Sequence, residues 1–218
     1  MSSDMKFVGA IVVVAVLAIV GFVIFGKNAK TSDPAAQVEA AALTDAGQQV
    51  RPDSYKKGIE NGKVIVVEWG DYQCPACQAA DTEVTQIVSD FADRITFVFR
   101  HFPLPNHKFS QLTATAVEAA GAQGKYWEMH AKLYGNQEEW STASTSKAVE
   151  LFVGYAKDLG IDTEKFRADL VGRVYNDKIA RDLADAAAIG VSKTPTFFVN
   201  SVEVGLDGLR TAIEEGLK

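Results

Sequence analysis

Two cysteines stand two residues apart, as Cys74-Pro75-Ala76-Cys77, and they are the only cysteines in a chain of 218 residues. Thiols at this spacing can cycle between dithiol and disulfide, share a metal ion, or stay closed as a passive bridge. A bridge across so short a separation closes a tiny loop and stabilises little. Zinc would need further ligands, and His101 and His107 are the candidates. However, 23 residues separate Cys77 from His101, beyond the usual finger spacing, and the pair sits at a helix start without a knuckle loop. Redox chemistry, with no metal, is the reading that the spacing favours.

That chemistry depends on where the sulfurs sit. A strand is expected to end near Trp69 and a helix to begin at or just after Cys74. Cys74 then faces the free N–H groups of the first helical turn, and Pro75 falls where a missing N–H costs nothing. Helix N-termini favour anions, and the thiolate is the reactive form of cysteine. A thiol pKa of about 8.5 can fall to roughly 3.5–7 in such a motif. Cys77 lies three residues on, one turn deeper and more shielded. Attack by Cys74 and resolution by Cys77 follow from that asymmetry.

The elements that must position the pair are legible around it. "KVIVVEW" carries the β-branched run Val64 to Val67, as a strand buried on both faces does. Ala80, Val84, Ile87, Val88 and Phe91 recur at helical spacing. Ile95, Phe97 and Phe99 alternate as a second strand, completing a βαβ unit with a right-handed crossover. A helical block follows over about 108–190. In it Leu112, Ala116, Ala119 and Ala120 share one close-packed side, Gly160 reads as a left-handed cap, and Asp162 reads as an N-cap. Trp127, Trp140 and Tyr126 read as core of the block. "NDKIARDLADAAAI" reads as a solvated helix face, and His101, His107 and His130 as packing or capping residues. The chain returns to strand at "PTFFVN", pairs through "SVEVG" and closes with "LRTAIEEGL". The fold class is α/β: a thioredoxin-type domain with a helical insertion between its βαβ and ββα halves.

Pro195 directly precedes the strongly apolar strand. A proline there removes a ladder donor, so either it simply starts the strand or it has a further reason to be present. We read a cis peptide between Thr194 and Pro195, which exposes the Thr194 backbone for pairing with an extended substrate. Glu68 is a second oddity, an acid on an apolar strand. Burial would raise its pKa; the alternative is a strand end that reaches solvent.

The N-terminus differs in kind. Phe7 to Phe25 is an unbroken run of 19 residues without a polar side chain, bracketed by Lys6 and Lys27. About 20 such residues span a bilayer as a helix. The run is longer than the apolar core of a cleaved signal and lacks a small-x-small site after it. Residues 1–27 are therefore expected to be a single transmembrane anchor, and 28–57, poor in large apolar residues, a linker. The domain proper is expected over 58–218. The positive charges flanking the span are nearly balanced, so the side of the membrane has to come from the chemistry. The net charge of −6 argues against a broad nucleic-acid surface, and no glycine-rich phosphate loop is present.

From about Ser54 to the C-terminus, the segments "VIVVEWGDYQCPAC", "RITFVFRHFPL", "GAQGKYWEMHAKLY" and "GVSKTPTFFVN" resemble the DsbA-like thiol-disulfide oxidoreductases of the thioredoxin superfamily. The resemblance implies Cys74 as nucleophile, Cys77 as resolving thiol, Thr194 and cis-Pro195 as substrate platform, and Glu68 as the buried acid that shuttles the Cys77 proton. It implies no cofactor. The implied partners are proteins with cysteine pairs and a quinone-linked redox protein in the membrane. The implied location is the extracytoplasmic side of a cell membrane, where disulfides persist. Ala76 departs from the C-P-H-C form of strong oxidants. Loss of that histidine implies a less acidic Cys74 and a potential between those of a strong oxidant and thioredoxin. The rival readings are a reductase or isomerase, and a tethered binding or chaperone module with an incidental disulfide.

Overall fold

The computed structural model describes residues 49–218. The expected anchor and the linker up to residue 48 lie outside the described residues. Among the described residues, no helix is long and apolar enough to cross a membrane.

Five strands form one sheet: β1 (Lys56–Gly58), β2 (Val64–Gly70), β3 (Ile95–His101), β4 (Thr196–Val199) and β5 (Val202–Val204). Their order is β1-β3-β2-β4-β5. Only β2 and β3 run parallel, with Val64 opposite Ile95 and Gly70 opposite His101. Helix α1 (Pro75–Asp90) makes the crossover between them, and α8 (Leu206–Leu217) closes the chain after the β4–β5 hairpin. Between β3 and β4 come α2 (Ser110–Gly121), α3 (Tyr126–Gly135), α4 (Gln137–Ser141), α5 (Thr145–Asp158), α6 (Thr163–Gly172) and α7 (Asn176–Ala188). This is the thioredoxin-like α/β fold with a helical insertion that the residue patterns predict.

The central strands are apolar throughout because both faces are covered. Val64, Val66, Phe97, Phe99, Phe197 and Val199 point into a core shared with α1, the insertion and α8. Val67, Trp69, Val98 and Phe198 point the other way, against Ala186 and Ile189 at the end of α7. By strand alternation Glu68 lies on the same face as Val64 and Val66, beneath α1. Ala116, Ala119 and Ala120 of α2 are fully buried, so neighbouring backbones approach closely. Asp162 caps α6 by accepting from the N–H groups of Glu164 at 2.9 Å and Lys165 at 3.0 Å. Gly160 and Gly190 take the left-handed conformation after α5 and α7, at φ 70° and 80°.

Two sequence expectations are corrected. The linker does not extend to residue 57. Lys56–Gly58 pairs antiparallel with β3, and Tyr55 stacks on Tyr126 at 4.3 Å. Arg51 holds Asp185 through two bonds of 2.6 Å. Backbone pairing and ion pairs fasten this segment, so a search for apolar residues passes over it. The acid-rich α7 face is not solvated either, since Asp182 and Asp185 are almost fully buried. They neutralise Arg100 of β3, itself 1% exposed, at 2.8 and 2.5 Å. Arg100 also donates to the Gln49 carbonyl at 2.5 Å and stacks over Trp69 at 4.6 Å. A buried guanidinium requires counter-charges, and these two aspartates supply them.

Candidate active site

Cys74 is the N-cap of α1, with extended backbone (φ −72°, ψ 121°), and Pro75 follows at the first helical position. The turn before it is built on Asp71, whose side chain is wholly buried. One Asp71 carboxylate oxygen accepts the Gln73 N–H at 2.8 Å. The other accepts from the Leu104 N–H at 3.0 Å, His107 Nδ1 at 2.7 Å and the Ser110 hydroxyl at 2.6 Å. The Asp71 carbonyl accepts the Cys74 N–H at 3.0 Å. Gln137 of α4 donates to the carbonyls of Tyr72 at 2.8 Å and Cys74 at 3.1 Å. The insertion thus holds the turn from one side and β2 from the other.

Both cysteines are free thiols. Cys77 is fully buried one turn into α1, and Cys74 is 6% exposed. The Cys74 thiol donates to the Thr194 carbonyl at 3.6 Å, across the cis peptide Thr194–Pro195. Its pKa is lowered to about 5. The largest cause is a hydrogen bond from the Cys77 thiol. Burial opposes it, and the Thr194 side chain and the N–H groups of Cys77 and Ala76 add to it. The neighbouring thiol therefore outweighs the helix terminus, which the sequence argument had placed first. The same bond pushes Cys77 up, since its proton is the one being shared, and burial and Glu68 push it further.

Glu68 lies in this layer with 3% exposure. In the sheet it is flanked by Phe99 and Phe197. Burial, followed by the charges of Asp81 and Cys74, raises its pKa to about 8. The alternative of a solvent-reaching strand end does not apply. Beside the Thr194–Pro195 turn, a cavity of about 520 Å³ is lined by Lys193, Pro195, Thr196, Phe197, Glu203 and Leu206, among others.

Cys74, Cys77, Thr194 and Glu68 thus converge from α1, the turn before β4, and β2. The histidines do more than pack, for each meets an acid: His101 with Glu118, His107 with Asp71 and His130 with Asp81. The two imidazoles considered as zinc ligands are therefore engaged by carboxylates. Sequence reasoning missed Asp71, Gln137, Tyr72, His130 and Asp81. Asp71 carried one signal, an aspartate two residues before Gln73, the spacing of a side-chain-to-backbone turn. Gln137 carried none.

Fold and site together define a thioredoxin-fold domain with a dithiol at a helix N-terminus. A family model described as Thioredoxin matches residues 51–215, and the chain belongs to that family. Among solved structures, oxidised BdbD from Bacillus subtilis is similar with a TM-score of 0.66 and 25% identity, over 75% of this chain and 90% of that one. A thioredoxin-like oxidoreductase from Silicibacter pomeroyi DSS-3 gives 0.63 and 29%, over 76% and 92%. Among curated proteins, "Na(+)/H(+) antiporter NhaA 1" of Salinispora arenicola is 40% identical over 160 residues. That match takes in 72% of this chain and 23% of the antiporter, so the chain spans about a quarter of the relative's length.

Proposed function

We propose that the protein is a thiol-disulfide oxidoreductase that forms or exchanges disulfides in extracytoplasmic proteins, with Cys74 as the exchanging sulfur and Cys77 as its resolving partner. The observation that carries this reading is the Cys74 sulfur itself. It sits at the N-cap of α1 beside a buried Cys77 thiol that donates to it, and its pKa is drawn down to about 5.

In the oxidising direction, a client thiolate attacks the Cys74 sulfur of the Cys74–Cys77 disulfide. The S–S bond breaks, Cys77 leaves with the electron pair, and a client–Cys74 disulfide forms. Cys77 takes up a proton from Glu68. The client's second thiolate then attacks its own bridged sulfur, and Cys74 departs as a thiolate. The client ends with a new disulfide and the Cys74–Cys77 pair ends reduced, two electrons having passed. Run backwards, the same steps reduce or isomerise a client, with Glu68 as proton acceptor. Thr194 and Pro195 form the platform on which an extended client segment lies, and the adjoining cavity of about 520 Å³ offers it apolar wall.

A leaving-group sulfur of low pKa makes a disulfide more oxidising. A value of about 5 falls between roughly 7 for thioredoxin and 3.5 for DsbA, in keeping with Ala76 in place of a histidine. The reduction potential is expected between roughly −270 and −120 mV, the values of those two proteins. Equilibration of the protein with glutathione redox buffers measures it. Replacing Cys77 by serine should trap clients as mixed disulfides on Cys74, and replacing Cys74 should abolish both the trap and exchange. Client binding that survives Cys74→Ser with an unchanged phenotype would favour the binding or chaperone module. In this reading Phe7–Phe25 tethers the domain to the membrane, and a membrane-embedded, quinone-linked protein reoxidises it.

A further inference from the structure

Cys77 and Asp81 lie one turn apart on α1, so they share the face packed on β2. Beneath them is Glu68, whose register neighbour on β3 is Phe99. His130 of α3 stands edge-on to Phe99 at 5.1 Å. Its Nε2 is 3.1 Å from an Asp81 oxygen and its Nδ1 is 2.9 Å from the Tyr72 hydroxyl. Tyr72 and His130 are buried, and the Asp81 side chain is 23% exposed.

A carboxylate can only accept, so Nε2 carries the hydrogen. Burial disfavours the imidazolium of His130, and Lys57 of β1 and His101 of β3 add to that, against the pull of Asp81. Neutral His130 must therefore accept the Tyr72 hydroxyl at Nδ1. A lysine or arginine at this place would fix the carboxylate and cancel its charge. A neutral imidazole, itself fixed by a buried tyrosine, holds the carboxylate in place and leaves its charge intact.

We propose that Tyr72, His130 and Asp81 form a positioning chain that sets one uncompensated negative charge behind Cys77 and Glu68, and so keeps on Glu68 the proton that Cys77 needs when it departs. This rests on the disulfide-exchange reading above. In the proton step, the Glu68 O–H bond breaks, a Cys77 S–H bond forms, and the carboxylate recovers its proton from solvent. The titratable groups coupled to Glu68 are Cys74, Cys77 and Asp81 from α1 and its cap, Tyr72 from the preceding turn, and Tyr134 from α3. None of them is a cation; Lys57 of β1 acts on this cluster through His130. Asp81 contributes to the raised Glu68 value, whereas Cys74 is governed by Cys77, burial and Thr194.

The test is a carboxyl-carbon NMR titration of Glu68 in the full chain, run beside the ultraviolet titration of Cys74. Asp81→Asn should lower the Glu68 midpoint by about one pH unit, a tenfold loss of proton affinity. Asp81→Glu should retain the high midpoint, and neither variant should move the Cys74 midpoint. If the asparagine variant folds poorly, Asp81→Ser removes the same charge at this partly exposed helical position. A Glu68 midpoint unchanged by charge removal would overturn the inference even while disulfide exchange is normal. Absence of exchange at Cys74 in the parent protein, with the Asp81 effect intact, would overturn the functional reading instead.

Discussion

A buried acid with a raised pKa is a liability for folding, and Glu68 makes that measurable. Its folded value is about 8, above the roughly 4.3 of an unperturbed glutamate. The protonated form is thus favoured in the fold, and the stability it contributes is fully present below pH 4. As pH rises from about 4 towards 8 the unfolded chain ionises first, and each unit in that window costs about 1.4 kcal/mol of folding free energy. Replacing Glu68 by glutamine removes this loss. The variant should be more stable than the parent at pH 7, by about 4 kcal/mol, and little different at pH 4. Denaturant unfolding at the two pH values checks it, and equal shifts at both would point to packing rather than proton linkage. Exchange in the same variant should slow, because glutamine has no proton to pass to Cys77. Cys74 gives a second residue-scale prediction. Thiolate absorbance should rise with a midpoint near pH 5, while Cys77 stays protonated through the neutral range. The cysteines and Glu68 were legible because their types are anomalous where they stand: a lone C-x-x-C, and an acid in an apolar strand. Asp71, Gln137, His130 and Asp81 were not. Apart from the Asp71–Gln73 turn, their partners lie 33 to 65 residues away in the chain, and Gln137, His130 and Asp81 are ordinary in their local settings.

At the level of elements, periodicity worked where burial is the cause of the pattern. The run Val64–Val67, the alternation Ile95, Phe97, Phe99 and the alanine side of α2 are direct imprints of packing, and the structure has all three. It failed where electrostatics does the fastening. β1 and residues 49–55 carry few large apolar side chains, yet they are tied to α7 and β3 through Arg51, Asp185 and Arg100. An aspartate-rich helix face reads as solvated unless a buried arginine elsewhere is known to need it. This pairing predicts an asymmetry between two removals. Asp182→Ala leaves Arg100 short of a buried counter-charge and should destabilise by about 3–5 kcal/mol. Arg51→Ala removes a partner whose side chain is 32% exposed and should cost less, about 1 kcal/mol, because Asp185 still faces Arg100. Urea midpoints of the two variants against the parent decide it. Equal losses would mean that the N-terminal segment, rather than the Arg100 cluster, is what the helix secures.

For the molecule as a whole, the sequence separates an apolar N-terminal run from a domain that recurs as about a quarter of much longer curated relatives. A domain of this kind therefore occurs in more than one setting, and the setting decides which proteins it meets. The scarcity of cysteine makes the setting testable. With two thiols in the chain, one fully buried and held protonated and the other 6% exposed with a lowered pKa, an alkylating reagent reports on Cys74 alone. If Phe7–Phe25 anchors the chain with the domain outside, a membrane-impermeant maleimide should label the reduced protein in intact cells. Cys74→Ser should remove that label, and lysis should add little to it. Signal that appears only after lysis would put the pair in a compartment that keeps thiols reduced. There a dithiol with this low sulfur pKa would face few disulfides to accept and no stable ones to make. The extracytoplasmic clients and the membrane reoxidant would both be excluded, while the disulfide chemistry of the site would stand unchanged.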